Sequence, residues 1–187
     1  MKKYILIGVP YSGKSTLGRR VAELLKIPFF DTDAMAKSKV GEIRFFDVLN
    51  PRFSMLFHKE EINDVFELTE IDTSAVVATG AEVALITGCA KTLQSMGPII
   101  HIKREVKIIL DELEKNVDSR LVLREVNNGT ILDFGVKSVE EYSKSLPQYE
   151  AAADFTIDNN GSEDEGVEKL VALIKAIEEN DIVFIER

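Results

Sequence analysis

The chain has 187 residues, of which 45% are apolar and 29% charged, a globular mix long enough for one ample core, which sets aside disordered and fibrous classes. A net charge of -9 opposes broad binding to nucleic acid or to an anionic membrane, because both need basic surface, so any anionic ligand must find its positive charge locally. The single cysteine, Cys89, has no intrachain disulfide partner and reads as a packed small residue; with no signal-peptide pattern and no apolar run of membrane-spanning length, a cytoplasmic monomer is expected.

The first predicted element is a buried strand over Tyr4-Ile5-Leu6-Ile7, followed by Gly8-Val9-Pro10-Tyr11-Ser12-Gly13-Lys14-Ser15-Thr16 and by helical spacing over 17–26. Strand, glycine-bounded loop and helix together define a phosphate-binding loop. Gly8 and Gly13 let backbone N–H groups turn onto phosphate oxygens, with Ser12 and Thr16 inside the same cradle. Lys14 suits the β- and γ-phosphates of ATP, and the Ser15 hydroxyl suits a magnesium ion bridging them.

After Pro28, Phe29-Phe30-Asp31-Thr32-Asp33 reads as a short buried strand carrying two acids at its C-terminal end, the end at which open parallel sheets bind ligands. Asp31 is placed to orient the magnesium hydration shell and Asp33 to take a proton from an acceptor hydroxyl. Residues 34–66 are expected to form small helices inserted between strands. A central strand follows over 74–80, then a helix over 88–96, a strand over 98–102 and a helix over 106–113. Residues 116–135 lose periodicity around Asn127-Asn128-Gly129 and are read as a mobile excursion; a basic residue there would cover the γ-phosphate. The remaining expectations are a helix over 137–153 broken near Pro147, a fifth strand over 154–157, a helix over 166–179, and an apolar run over 182–185 without an assigned place. His101 is taken as a core or sheet-end histidine. Alternating strands and helices give an α/β fold around a parallel sheet, as one domain.

In Gly8 to Thr16, Leu17-Gly18-Arg19-Arg20 and Phe30-Asp31-Thr32-Asp33, and more loosely in 76–80, 119–123 and 149–154, the chain resembles the shikimate kinase family. The resemblance spans about residues 3–175. It implies a three-layer P-loop fold with a five-stranded parallel sheet flanked by helices, an acceptor-binding insertion about 34–66, a lid about 116–135, and transfer of the γ-phosphate of ATP to a shikimate hydroxyl. It places Asp33 on the acceptor hydroxyl, Asp31 near magnesium, Arg120 as the lid arginine, and His58 and Gly80 against the acceptor.

Departures from the family pattern gather on the acceptor side. His58 replaces the arginine of a Phe-Arg-x-x-Glu helix, and a neutral imidazole does not replace a bidentate guanidinium. Gly80-Ala81-Glu82 replaces three glycines, and an inward Glu82 would repel a carboxylated ligand; Ser145 stands where a second acceptor-binding arginine is expected. Leu113 occupies the place of an adenine-stacking arginine, with Lys115 as a stand-in. Arg44, Arg52, Lys59 and Lys144 are the basic residues within reach of a rescue, each also readable as solvated surface charge. The alternatives are a kinase for another polyol or a nucleoside, and a catalytically lapsed nucleotide-binding module that controls a protein partner.

Overall fold

In a computed structural model the described residues are 1–40, 51–115, 136 and 139–179, apart from the side chains of 51–54 and 114. The five strands are β1 (Lys3–Ile7), β2 (Phe29–Asp31), β3 (Ala75–Ala78), β4 (Ile99–Lys103) and β5 (Phe155–Asp158). They form one sheet in the order β2-β3-β1-β4-β5, every pairing parallel, so all carboxyl ends share one edge. The helices are α1 (Lys14–Leu25), α2 (Thr32–Val40), α3 (Pro51–Thr69), α4 (Thr87–Met96), α5 (Val106–Lys115), α6 (Leu146–Ala152) and α7 (Glu163–Glu178).

Period-two alternation in the strands sends apolar side chains to both faces, which is why three layers form. Tyr4 and Leu6 pack with Leu17 and Val21 of α1 and Leu170 and Ile174 of α7. Ile5 and Ile7 face the other way, toward Val65 and Leu68 of α3, Leu93 of α4 and Tyr149 of α6. Each such aliphatic side chain, removed fully from water, contributes about 1.5–3 kcal/mol. Cys89 is buried in this second cluster, as its sequence reading requires.

Four expectations change in detail. The strand at 29–33 stops at Asp31, and Thr32 already opens α2, with Asp33 in that helix's first turn. The several small helices expected before residue 66 include instead one 19-residue helix, α3; its proline, Pro51, stands at the start, where the missing N–H costs nothing. The break expected near Pro147 falls at 144–145, with Pro147 in the first turn of α6. Ser162 caps α7 through a reciprocal capping box with Glu165, so that helix begins earlier than its apolar period shows. The expected lid over 116–135, with Arg120, and the terminal run over 182–185 lie outside the described residues, as do residues 41–50 of the insertion. Among the described residues no helix is long and apolar enough to cross a membrane.

Candidate active site

The loop after β1 is shaped by backbone positions that side chains resist. Gly13 has φ 100°, and a Cβ there would stand 2.6 Å from Asn159 Nδ2. Asn159, just beyond β5, donates through Nδ2 to the Ser12 carbonyl at 2.8 Å and so backs the loop from behind. Ser12 turns its hydroxyl beneath the loop, where it is buried without a hydrogen-bond partner, whereas Ser15 and Thr16 are exposed on the first turn of α1. The opening N–H groups of α1 add the positive end of its dipole.

Lys14 is buried, and its ammonium donates to the carbonyl oxygens of Gly8 and Val9, both at 2.9 Å. Burial lowers its pKa to about 8, against the opposing pull of Asp33 and Asp31. A cation held by neutral carbonyls near acids that do not pair with it is ready to transfer to an anion. With the orphaned Ser12 hydroxyl, that donor set fits a polyphosphate.

β2 and β3 bring the acids to the same edge: Asp31 pairs in register with Ala78, and β3 lies directly beside β1. Asp31 Oδ1 accepts from the Ala34 N–H at 3.2 Å, capping the start of α2. Thr32 is buried and accepts from the Gly80 N–H at 2.9 Å, which seats α2 against the end of β3. Lys39, farther along α2, reaches buried Asp64 at 2.6 Å and Glu67 at 2.7 Å on α3. Asp33 thereby comes against the inner face of α3.

On that face Glu61 is buried, and a Cβ on Gly80 would stand 2.0 Å from its Oε1 and 2.6 Å from Asp33 Oδ1. Only glycine lets the two carboxyl groups approach this backbone. Burial, with Asp33 close by adding to it, raises the Glu61 pKa to about 8. His58 Nδ1 lies 3.2 Å from Glu61 Oε2, and Nε2 lies 2.9 Å from Glu82 Oε2. The Glu61 contact, with Glu82 adding to it, raises the His58 pKa against the effect of burial. The imidazole expected to be neutral thus meets two flanking acids, which draw it toward its cationic form. Glu82 is likewise not a bare repulsive charge, since it pairs with His58 and accepts from Tyr142, whose pKa is raised chiefly by burial.

Of the rescuing cations, Lys59 is exposed and Lys144 pairs with Glu141 at 2.6 Å on the surface, while Arg44 and the Arg52 side chain lie outside the described residues. Leu113 packs against the core. Sequence reasoning missed Asn159, Tyr142 and Tyr149; the position of Asn159 at the carboxyl end of the last strand was the available signal. Tyr149 donates to the Ala81 carbonyl at 2.8 Å and stacks on His101 at 5.7 Å between ring centroids. His101 is a core residue as expected, wholly buried with both ring nitrogens unpartnered, and burial lowers its pKa to about 4.

A glycine-bounded loop opening a helix, at the carboxyl edge of a parallel sheet and near one acid at the end of β2 and another in the first turn of α2, defines a P-loop phosphotransferase. The family model described as shikimate kinase matches residues 10–175, and the chain belongs to the shikimate kinase family, whose kinases use ATP. A shikimate kinase of Clostridium botulinum (strain 657 / Type Ba4) is 26% identical over 180 residues, covering 94% of this chain and 96% of that one. The structure of a shikimate kinase from Acinetobacter baumannii in complex with shikimate shares the fold at TM-score 0.75 and 22% identity, covering 98% of this chain and 96% of that one. A gluconokinase from Sinorhizobium meliloti 1021 shares it at TM-score 0.62 and 14% identity, covering 96% of this chain and 94% of that one.

Proposed function

We propose that the chain transfers the γ-phosphate of ATP to a hydroxyl of a small acceptor, shikimate or a related hydroxy compound. The observation that carries this reading is Lys14, buried and held, among the described residues, only by the Gly8 and Val9 carbonyls, beside Asp31 and Asp33 on the same sheet edge. Lys14 leaves those carbonyls for the β- and γ-phosphates, and backbone N–H groups of the loop between Gly8 and Thr16, Pro10 having none, cradle the same oxygens. Ser15 and Asp31 are the residues that would hold magnesium, which when bound neutralises charge across those phosphates. Asp33 orients the acceptor hydroxyl and takes its proton, while Gly80 and His58 line the acceptor side. Arg120 has its lid role from sequence alone. The chain is proposed to act as a single cytoplasmic domain and as a monomer, with 34–66 as the acceptor-binding insertion and 116–135 as the lid.

A coupled ADP-release assay with magnesium, across shikimate, gluconate, nucleosides and simple polyols, tests this. Acceptor-dependent release is expected; none from any of them would defeat the kinase reading. One observation favours a second reading, a nucleotide-binding module without turnover: both His58 ring nitrogens are engaged by glutamates, leaving no clamp for a carboxylate. Stabilisation by ADP that no acceptor alters in a thermal-shift titration would favour it.

A further inference from the structure

Resting on the phosphotransfer reading, the acceptor pocket says more about what it receives. Its walls come from four places: Asp33 on α2, His58 and Glu61 on α3, Glu82 after β3, and Tyr142 in the helical turn over 139–143. Hydrogen-bond capacity, rather than charge alone, decides what fits. His58 has two ring nitrogens, and both are already directed at carboxylate oxygens, Glu61 Oε2 at 3.2 Å and Glu82 Oε2 at 2.9 Å. Tyr142 directs its hydroxyl to Glu82. Tyr149 gives its hydroxyl to the Ala81 carbonyl at 2.8 Å. No donor among these side chains is left for a ligand.

What remains is acceptors. Glu61, with its side chain 3% exposed, has Oε1 buried without a donor partner, and that atom is aimed at the space between Gly80 and Asp33. Glu82 is 43% exposed and has a second oxygen beyond the one that meets His58. Three carboxyl groups gather around one imidazole, so acids outnumber bases in this cluster. Lys14 belongs to the phosphate loop, Lys59 is turned to solvent and Lys144 is occupied by Glu141, so among the described residues no cation is left to meet a ligand carboxylate. A carboxylated acceptor would bring acceptor oxygens and negative charge to a pocket offering the same.

We propose that the preferred acceptor is a hydroxylated amine: its hydroxyl rests at Asp33 and its cationic nitrogen donates to Glu82, with further hydroxyls donating to Glu61. Glu82 is thus a specificity-determining residue, held in place by His58 and Tyr142.

The test uses matched sets on the full chain loaded with ADP and magnesium: glycerol, serinol and glycerate; glucose, glucosamine and gluconate; and shikimate. Serinol or glucosamine is expected to raise the melting temperature beyond its neutral and carboxylated counterparts. In the ATP assay its kcat/KM is expected to exceed theirs by at least about tenfold, the size of one retained charge pair. Glu82→Gln is expected to abolish that preference, with stabilisation by ADP as the control for folding. Amine-selective stabilisation without turnover would defeat phosphotransfer and leave amine recognition standing. Stabilisation by carboxylated ligands over amines, equal response to neutral and aminated ligands, or no response to amines overturns the inference.

Discussion

The site contains two basic side chains, and they are held in opposite ways. Lys14 rests on two uncharged carbonyl oxygens of its own loop, whereas His58 lies between the carboxyl groups of Glu61 and Glu82. The first arrangement costs little to leave, so the nucleotide half keeps its positive charge available. The second is satisfied internally, so the acceptor half offers mainly negative charge to whatever enters. Family membership describes the first half well; the second half is where this chain sets its own terms.

The largest expected effect sharpens the nucleotide side of that contrast. Lys14→Ala should weaken ADP-induced stabilisation and reduce turnover on the order of 10²–10³-fold, the range seen when one preorganised donor is lost, as measured by thermal shift and ADP release. His101, behind the joint between the halves, should show the next largest effect. Its folded pKa of about 4 lies below the ordinary 6.5, so its contribution is complete above pH 6.5 and is lost as pH falls through about 4. Denaturant melts from pH 7 to pH 4 should therefore lose about 3 kcal/mol through this residue, and His101→Phe should remove that slope.

On the acceptor side, Gly80→Ala would drive a methyl group onto Glu61 and Asp33. It should destabilise the fold by about 1–3 kcal/mol in urea melts, as overpacking does, while ADP still stabilises the protein. Glu61→Gln tests this side by its pH dependence rather than by packing. A carboxyl whose folded pKa is raised to about 8 contributes stability fully present below about 4.5 and lost as pH rises through 8. The variant should flatten that decline between pH 5 and pH 8, at the expense of part of the His58 contact. If stability instead rose over that window in the natural protein, the raised Glu61 pKa would be excluded.

How much of this was readable in the chain depends on the distance over which each feature is built. The phosphate loop is local, with its strand, glycines, Lys14 and helix contiguous in 4–26, so spacing alone exposes it. The placement of Asp31 at a strand's carboxyl end was equally legible, but the start of α2 at Thr32 was not, because its seat is a hydrogen bond from Gly80, far along the chain. The departures at His58 and Glu82 were visible as residues; that they meet at 2.9 Å was not, since nothing in either segment encodes the approach of α3 to the end of β3. The same holds for the Tyr149–His101 stack, where a tyrosine of α6 covers an unpartnered ring in β4.

The hydrogen bond from Asn159 to Ser12 has a bearing on biosynthesis. The loop after β1 and the side chain that supports its back are 147 residues apart in the chain. A nascent chain halted between them would carry every residue of the motif without its finished shape, so the loop gains its backing only after the intervening strands of the sheet have been made.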